Sequence, residues 1–336
     1  MSDRDSTNFL RVLAIILVVN SHMDSLYPPK LAFLATGGMI GNALFFMLSA
    51  YGLLMSMQAS PRAFGEWYAR RLIRIYPSVW VTVILLSFPI GIYGGSIRLN
   101  NILEEMGKFF YPPFWFLQAL FIYYGIIFFI IRDFSYKRLV LASIPIVTIY
   151  AVYYILLLDL AKWSIEETPF RLIYYCLVVM WGIYLGSQSE RLEFEGLKDV
   201  IKFILTCLVI YGHKYLMQRG VLSSFQFVQH LASFPMLYFA VKVAKSSFIR
   251  QNIMGGHYTG KVLTFVSGIT LEIFIVNNSI DFLGYKLGTF PINVIALVSL
   301  NFGLALIIFY CAQPIRRILE ASTSIAQNTD STPQSC

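Results

Sequence analysis

The chain carries a succession of apolar runs, each roughly 17–22 residues long, and a helix of that length spans the ~30 Å hydrocarbon core of a bilayer. The runs fall near residues 9–28, 39–57, 75–93, 114–131, 138–158, 171–187, 200–217, 224–244, 262–282 and 291–311. Within hydrocarbon every backbone N–H and C=O needs an internal partner, so segments of this kind cross as helices. The expected fold class is therefore all-α, a polytopic transmembrane helical bundle of about ten helices. Composition supports this: 57% of the 336 residues are hydrophobic and only 13% are charged, about half the ~25% charged content of a soluble domain.

The connections set an orientation. If the N-terminus is cytoplasmic, the stretches 62–74, 132–138, 188–202, 242–261 and 316–317, with Arg4 and Arg11, hold roughly 18 of the 26 basic residues on the inner side. An even number of helices then leaves both termini in the cytoplasm, with 94–112 facing outward. The net charge of +8 is explained by this asymmetry and calls for no nucleic-acid partner. The first run has no small-residue cleavage site behind it and reads as the first membrane helix. Cys176, Cys207, Cys311 and Cys336 are scattered, form no CxxC pair and indicate neither a disulfide framework nor a metal site. Residues 1–320 read as one membrane domain, and 321–336 as a polar, disordered cytoplasmic tail.

Ionisable groups inside membrane spans are costly, so they mark function or a paired partner. Arg11 and His22 lie eleven residues apart in the first run, close to three helical turns, hence on nearly one face and about 16 Å apart along the axis. Imidazole is the usual general base near neutral pH. Asn20 and Asp24 share another face, and Asp24 is a candidate to orient His22 if the helix unwinds near Pro28. Arg70, Arg71 and Arg74 sit where a cytoplasmic loop enters the third run; Arg71 and Arg74 are neighbours at i,i+3, and arginine forks suit phosphate. The same residues, with Trp67, Tyr68, Tyr76 and Trp80, also fit ordinary positive-inside charge and an aromatic belt. Glu272 is the one carboxylate deep inside an expected run, followed by Asn277 and Asn278, and it needs a partner such as Arg11. Trp115 fits an interface anchor, while His213, His230 and His257 fit structural roles.

Taken in order, these elements resemble the acyltransferase-3 family of integral-membrane O-acyltransferases. The resemblance rests on Arg11 to His22 in "FLRVLAIILVVNSH", on "GNALFFMLSAYGL" (41–53) with Ala50 at a usual glycine, and on Arg71-Leu72-Ile73-Arg74-Ile75-Tyr76-Pro77. Trp115-Phe116-Leu117 and "QPIRRIL" (313–319) fit as well, and "TLEIFIVNN" (270–278) fits loosely, with Asn277 at a usual histidine. It spans nearly the whole chain, without the hydrolase domain that some relatives append.

The resemblance implies transfer of an acyl group, usually acetyl, from cytoplasmic acyl-CoA to a hydroxyl of a lipid-linked or surface glycan, in the cell (inner) membrane. It implies His22 as general base or acyl carrier, Arg11 as a stabiliser of developing charge, and Arg71, Arg74 and Tyr76 at the donor. Glu272 is the remaining catalytic candidate; Asn20, Asp24, Trp115 and Asn277 would support. Acetyl-CoA enters as co-substrate, with no bound cofactor and no metal. Besides acyl-CoA, the expected partners are the glycan acceptor and membrane lipids. Two other readings fit the same spans: a transporter or flippase for glycans or small solutes, and a sensor that has kept the fold without the chemistry.

Overall fold

The computed structural model describes residues 3–93, 107–111, 114–167, 169–280, 283 and 287–330. No strand occurs among the described residues. The helices are α1 (Asp3–Ser21), α2 (Gly38–Ala59), α3 (Phe64–Thr82), α4 (Phe88–Tyr93), α5 (Trp115–Ile131), α6 (Tyr136–Leu156), α7 (Phe170–Ser187), α8 (Leu197–Gln218), α9 (Phe227–Ala244), α10 (Thr259–Gly268), α11 (Thr270–Ile280) and α12 (Ile292–Asp330). A π-helical turn at Val83–Ser87 joins α3 to α4. Seven stretches are by themselves long and apolar enough to cross a membrane, and α10 with α11, broken at Ile269, makes an eighth. The other two expected runs fall on α1, which is 19 residues long and carries charge at its start, and on α5, which is 17 residues long. The fold is a multi-pass helical membrane protein.

Three boundaries bear on the site. The first helix ends at Ser21, not near residue 28, because polar Asn20 and Ser21 stop the apolar run and the Ser21 hydroxyl donates back to the Val18 carbonyl at 2.7 Å. His22 therefore lies just past the helix end. At the other end α12 continues to Asp330, into the polar stretch expected as a tail from 321, and 331–336 lie outside the described residues. Most of the outward loop expected at 94–112 also lies outside them.

Two compact units interleave along the chain. The first comprises residues 1–21, 36–61 and 122–268. Its centre is α2, packed against α1 and α7. Backbones approach closely there: a Cβ on Gly41 would stand 2.6 Å from the Ala14 carbonyl oxygen, and one on Gly182 would stand 2.4 Å from that of Met47. Small residues at such crossings let membrane helices gain dispersion contacts that bulk would prevent. Helices α8 and α9 form a second pair, fixed by charge. Lys242, 3% exposed, reaches Glu195 Oε1 at 2.5 Å and Asp199 Oδ1 at 3.1 Å, and Asp199 Oδ2 accepts the Glu195 N–H at 2.7 Å.

The second unit comprises 22–35, 62–121 and 269–336. Helices α3, α11 and α12 pack pairwise within it. Phe116, in the first turn of α5, sets its ring 4.7 Å from that of Phe274. The segment that begins with His22 folds into a 3-10 turn at Asp24–Leu26. It docks on α12 through Asn293 Nδ2, which donates to the Leu26 carbonyl at 3.2 Å.

Candidate active site

Pro77 lies inside α3, one turn after the arginine pair. It has no N–H to offer the carbonyl one turn back, and its ring crowds that carbonyl, so the ladder is weakened beside Arg74. The ladder bond lost is that of the Ile73 carbonyl, and the neighbouring Arg74 carbonyl takes an additional bond from elsewhere in the second unit. Arg316 of α12 donates through Nη2 to the Arg74 carbonyl at 3.1 Å and to Ser78 Oγ at 3.3 Å. The same Nη2 lies 3.5 Å from Glu272 Oε1, and the Ser78 hydroxyl donates to that oxygen at 2.6 Å. One guanidinium thus ties α3, α11 and α12 together.

Glu272 is 1% exposed. A buried carboxylate is tolerable only with compensation. Three sources are present: the Arg316 charge, the Ser78 hydroxyl, and the N-terminal turn of α11, where Glu272 sits and the helix dipole favours an anion. The break at Ile269 is what places a helix start at that depth. Arg316 supplies the opposing charge, where the apolar-run argument pointed to Arg11. Arg316 and Ser78 were not singled out in the sequence, although Ser78 follows Arg74 at i,i+4 on the same face.

The arginines at the start of α3 divide by environment. Arg70 pairs with Glu66 at 2.9 Å, and Arg62 joins the same carboxylate at 3.2 Å. Arg71 is half-buried, with its guanidinium 5.5 Å from the Trp67 ring centroid. Arg74 is exposed. Tyr76 is held: its hydroxyl donates to the Phe110 carbonyl at 2.7 Å and its ring stacks on Phe121 at 5.5 Å. Trp80 Nε1 likewise donates to the Phe109 carbonyl at 2.9 Å. This helix face is anchored along its length, with Arg74 left exposed.

The remaining candidates are placed as follows. His22 is exposed, between the end of α1 and the docked 3-10 turn. Asp24 is also exposed; its Oδ1 accepts the Ser25 N–H at 2.8 Å, a local bond within its own turn. Arg11 is half-buried on α1. Asn20 Nδ2 donates to the Thr36 carbonyl at 3.3 Å, and Lys214 Nζ donates to Thr36 Oγ1 at 3.1 Å. Near these lies Glu166, in the connection between α6 and α7. Burial raises its carboxyl to about 6, against the pull of Arg171 and Lys214. Asn277 pairs with Asn301, whose Nδ2 donates to its Oδ1 at 3.0 Å, both being buried. Trp115 is half-buried at the first position of α5. No cluster of three or more metal-ligating side chains occurs among the described residues.

Residues 4–314 match the family model described as an acyltransferase domain, the acyltransferase-3 family. The chain belongs to that family and is a membrane acyltransferase. No curated protein and no solved structure matches it.

Proposed function

We propose that the protein transfers an acyl group, acetyl in the simplest case, from acyl-CoA on the cytoplasmic side of the cell (inner) membrane to a hydroxyl of a lipid-linked or surface glycan. The observation that carries this is the Arg316–Glu272–Ser78 clamp on the helix of Arg71 and Arg74. A helix fixed in rotation at Arg74 presents its guanidinium in one direction, as binding the phosphates of coenzyme A requires. Tyr76, on the same anchored helix, holds the aromatic wall beside them.

In the reaction His22 removes the proton of the acceptor hydroxyl. The oxygen attacks the thioester carbonyl, the C–S bond breaks, and the thiolate leaves as coenzyme A after taking up a proton. Arg11 supports the developing negative charge. No bound cofactor or metal takes part in this chemistry; acyl-CoA is a co-substrate.

The test is transfer from radiolabelled acetyl-CoA to membrane glycans by the purified protein. His22→Gln keeps hydrogen bonding but cannot take a proton near neutral pH. It should lose roughly 100- to 10,000-fold in rate while inserting and folding as the parent does. A folded His22→Gln protein with parental turnover would remove His22 from the mechanism.

A further inference from the structure

Within the first unit, α6, α7 and α9 border a cavity of about 550 Å³ that the proposed chemistry does not use; it is open to one side, where Val140, Ile144, Val147 and Leu231 are exposed. Its walls belong to three membrane-spanning helices, and Pro145 in α6 and Pro235 in α9 interrupt the ladders on two sides of it. Along α6 it extends from Leu139 to Tyr150, about 16 Å at the helical rise.

The lining says what can occupy it. Its polar groups are mostly engaged within the protein. The Ser143 and Thr148 hydroxyls donate to the carbonyls of Leu139 and Ile144, at 2.8 and 3.0 Å. The Tyr174 hydroxyl donates to Ser233 Oγ at 2.8 Å, and Trp181 Nε1 to the Phe234 carbonyl at 3.1 Å. What remains along its length is aliphatic: Val140, Ile144, Val147, Leu177 and Leu231. A glycan or nucleotide would lose its hydration there without replacement. A hydrocarbon chain would lose nothing, and it would fill contacts that a void leaves open.

One end is different. His230 lines the cavity at 2% exposure, stacked on Tyr174 with ring centroids 3.6 Å apart. Its Nδ1 shares a hydrogen bond with the Tyr150 hydroxyl at 2.9 Å, and its Nε2 is buried without a hydrogen-bond partner. A buried polar atom without a partner is costly, and a carbonyl reaching it from the cavity would satisfy it. With the Tyr150 hydroxyl donating to Nδ1, Nε2 carries the proton and donates.

We propose that this cavity is a binding site for one acyl chain of a membrane phospholipid, with the chain along α6 and the ester carbonyl accepting from His230 Nε2. The site is independent of the reading of the active site and would stand if that reading failed.

The test uses the full-length protein in nanodiscs containing a phospholipid with a photoreactive diazirine in its acyl chain, with labelled residues mapped by mass spectrometry. Label is expected on Ile144, Val147, Leu177 and Leu231, above that on lipid-facing Leu205 and Leu208 of α8. Val147→Trp, which fills the cavity, should abolish the excess and leave α8 labelling unchanged. Ile144→Phe serves the same purpose if Val147→Trp does not fold. His230→Leu, which removes the donor, should reduce the excess. Equal labelling of α8 and the cavity, or no response to the filling variants, overturns the proposal. So does displacement of the label by a polyisoprenyl phosphate but not by unlabelled phospholipid, which would make the occupant an isoprenoid.

Discussion

Glu272 shows how one residue's surroundings fix its role. Its carboxylate is buried, and the charge balancing it comes from a single partly exposed arginine 44 positions later, Arg316. Arg316→Met would leave the carboxylate buried with only the Ser78 hydroxyl and a helix terminus. Breaking a buried pair costs about 3–5 kcal/mol, and partial exposure of Arg316 lowers the expectation to roughly 2 kcal/mol. Glu272→Gln combined with Arg316→Met should cost less than the sum of the two single changes, because no unpaired charge remains. Thermal unfolding in detergent across the four proteins gives the coupling; simple additivity would show that the two residues do not act as a pair. The importance of Glu272 was legible, since a carboxylate in an apolar run needs a reason. Its partner was not: an arginine in a basic terminal turn reads as topological charge, and only the fold brings it to α3 and α11.

At the scale of elements, α2 and α7 meet backbone to backbone. The Met47 carbonyl already occupies the space where a side chain on Gly182 would begin, and backbone cannot move as a side chain can. Gly182→Leu should therefore separate the two helices and destabilise the first unit by at least 1–3 kcal/mol, the usual range for overpacking. Gly52, with nothing near its Cβ position, is the control: Gly52→Ala should keep folded yield on size-exclusion chromatography, while Gly182→Leu should lose it. The ten helical segments were readable because hydrocarbon imposes one length and one secondary structure. Breaks within them were not. Pro77, Pro89 beside the π-turn at Val83–Ser87 and Gly268 beside the interruption at Ile269 are visible as letters, but a proline or glycine in an apolar run does not say whether the helix kinks, widens or breaks.

For the whole molecule, the asymmetry of basic residues predicts which ends of the helices face the cytoplasm. In a background lacking the native cysteines, Asp159→Cys in the α6–α7 connection should react with an impermeant thiol reagent added outside intact cells, and Gly65→Cys at the start of α3 should not. The opposite pattern would put Arg71 and Arg74 on the wrong side for acyl-CoA. That same α6–α7 connection holds Glu166, whose carboxyl is raised to about 6 by burial. A raised carboxyl pKa favours the folded state while the group is protonated, so its contribution is full below about 4.5 and lost as pH rises through about 6. Glu166→Gln should remove that pH dependence and stabilise the protein at pH 7 by on the order of 1 kcal/mol, read as the difference in unfolding temperature between the two proteins at pH 4.5 and pH 7. There is a further consequence in the Arg316–Arg74 contact, whose partners stand 242 residues apart. During synthesis, α3 enters the membrane long before the residue that ties its Arg74 carbonyl to α12 has been made. The proposed donor-binding helix therefore reaches its final form only once α12 has been made. A ribosome that stalls before α12 releases a chain that can be inserted in the membrane and still be inactive.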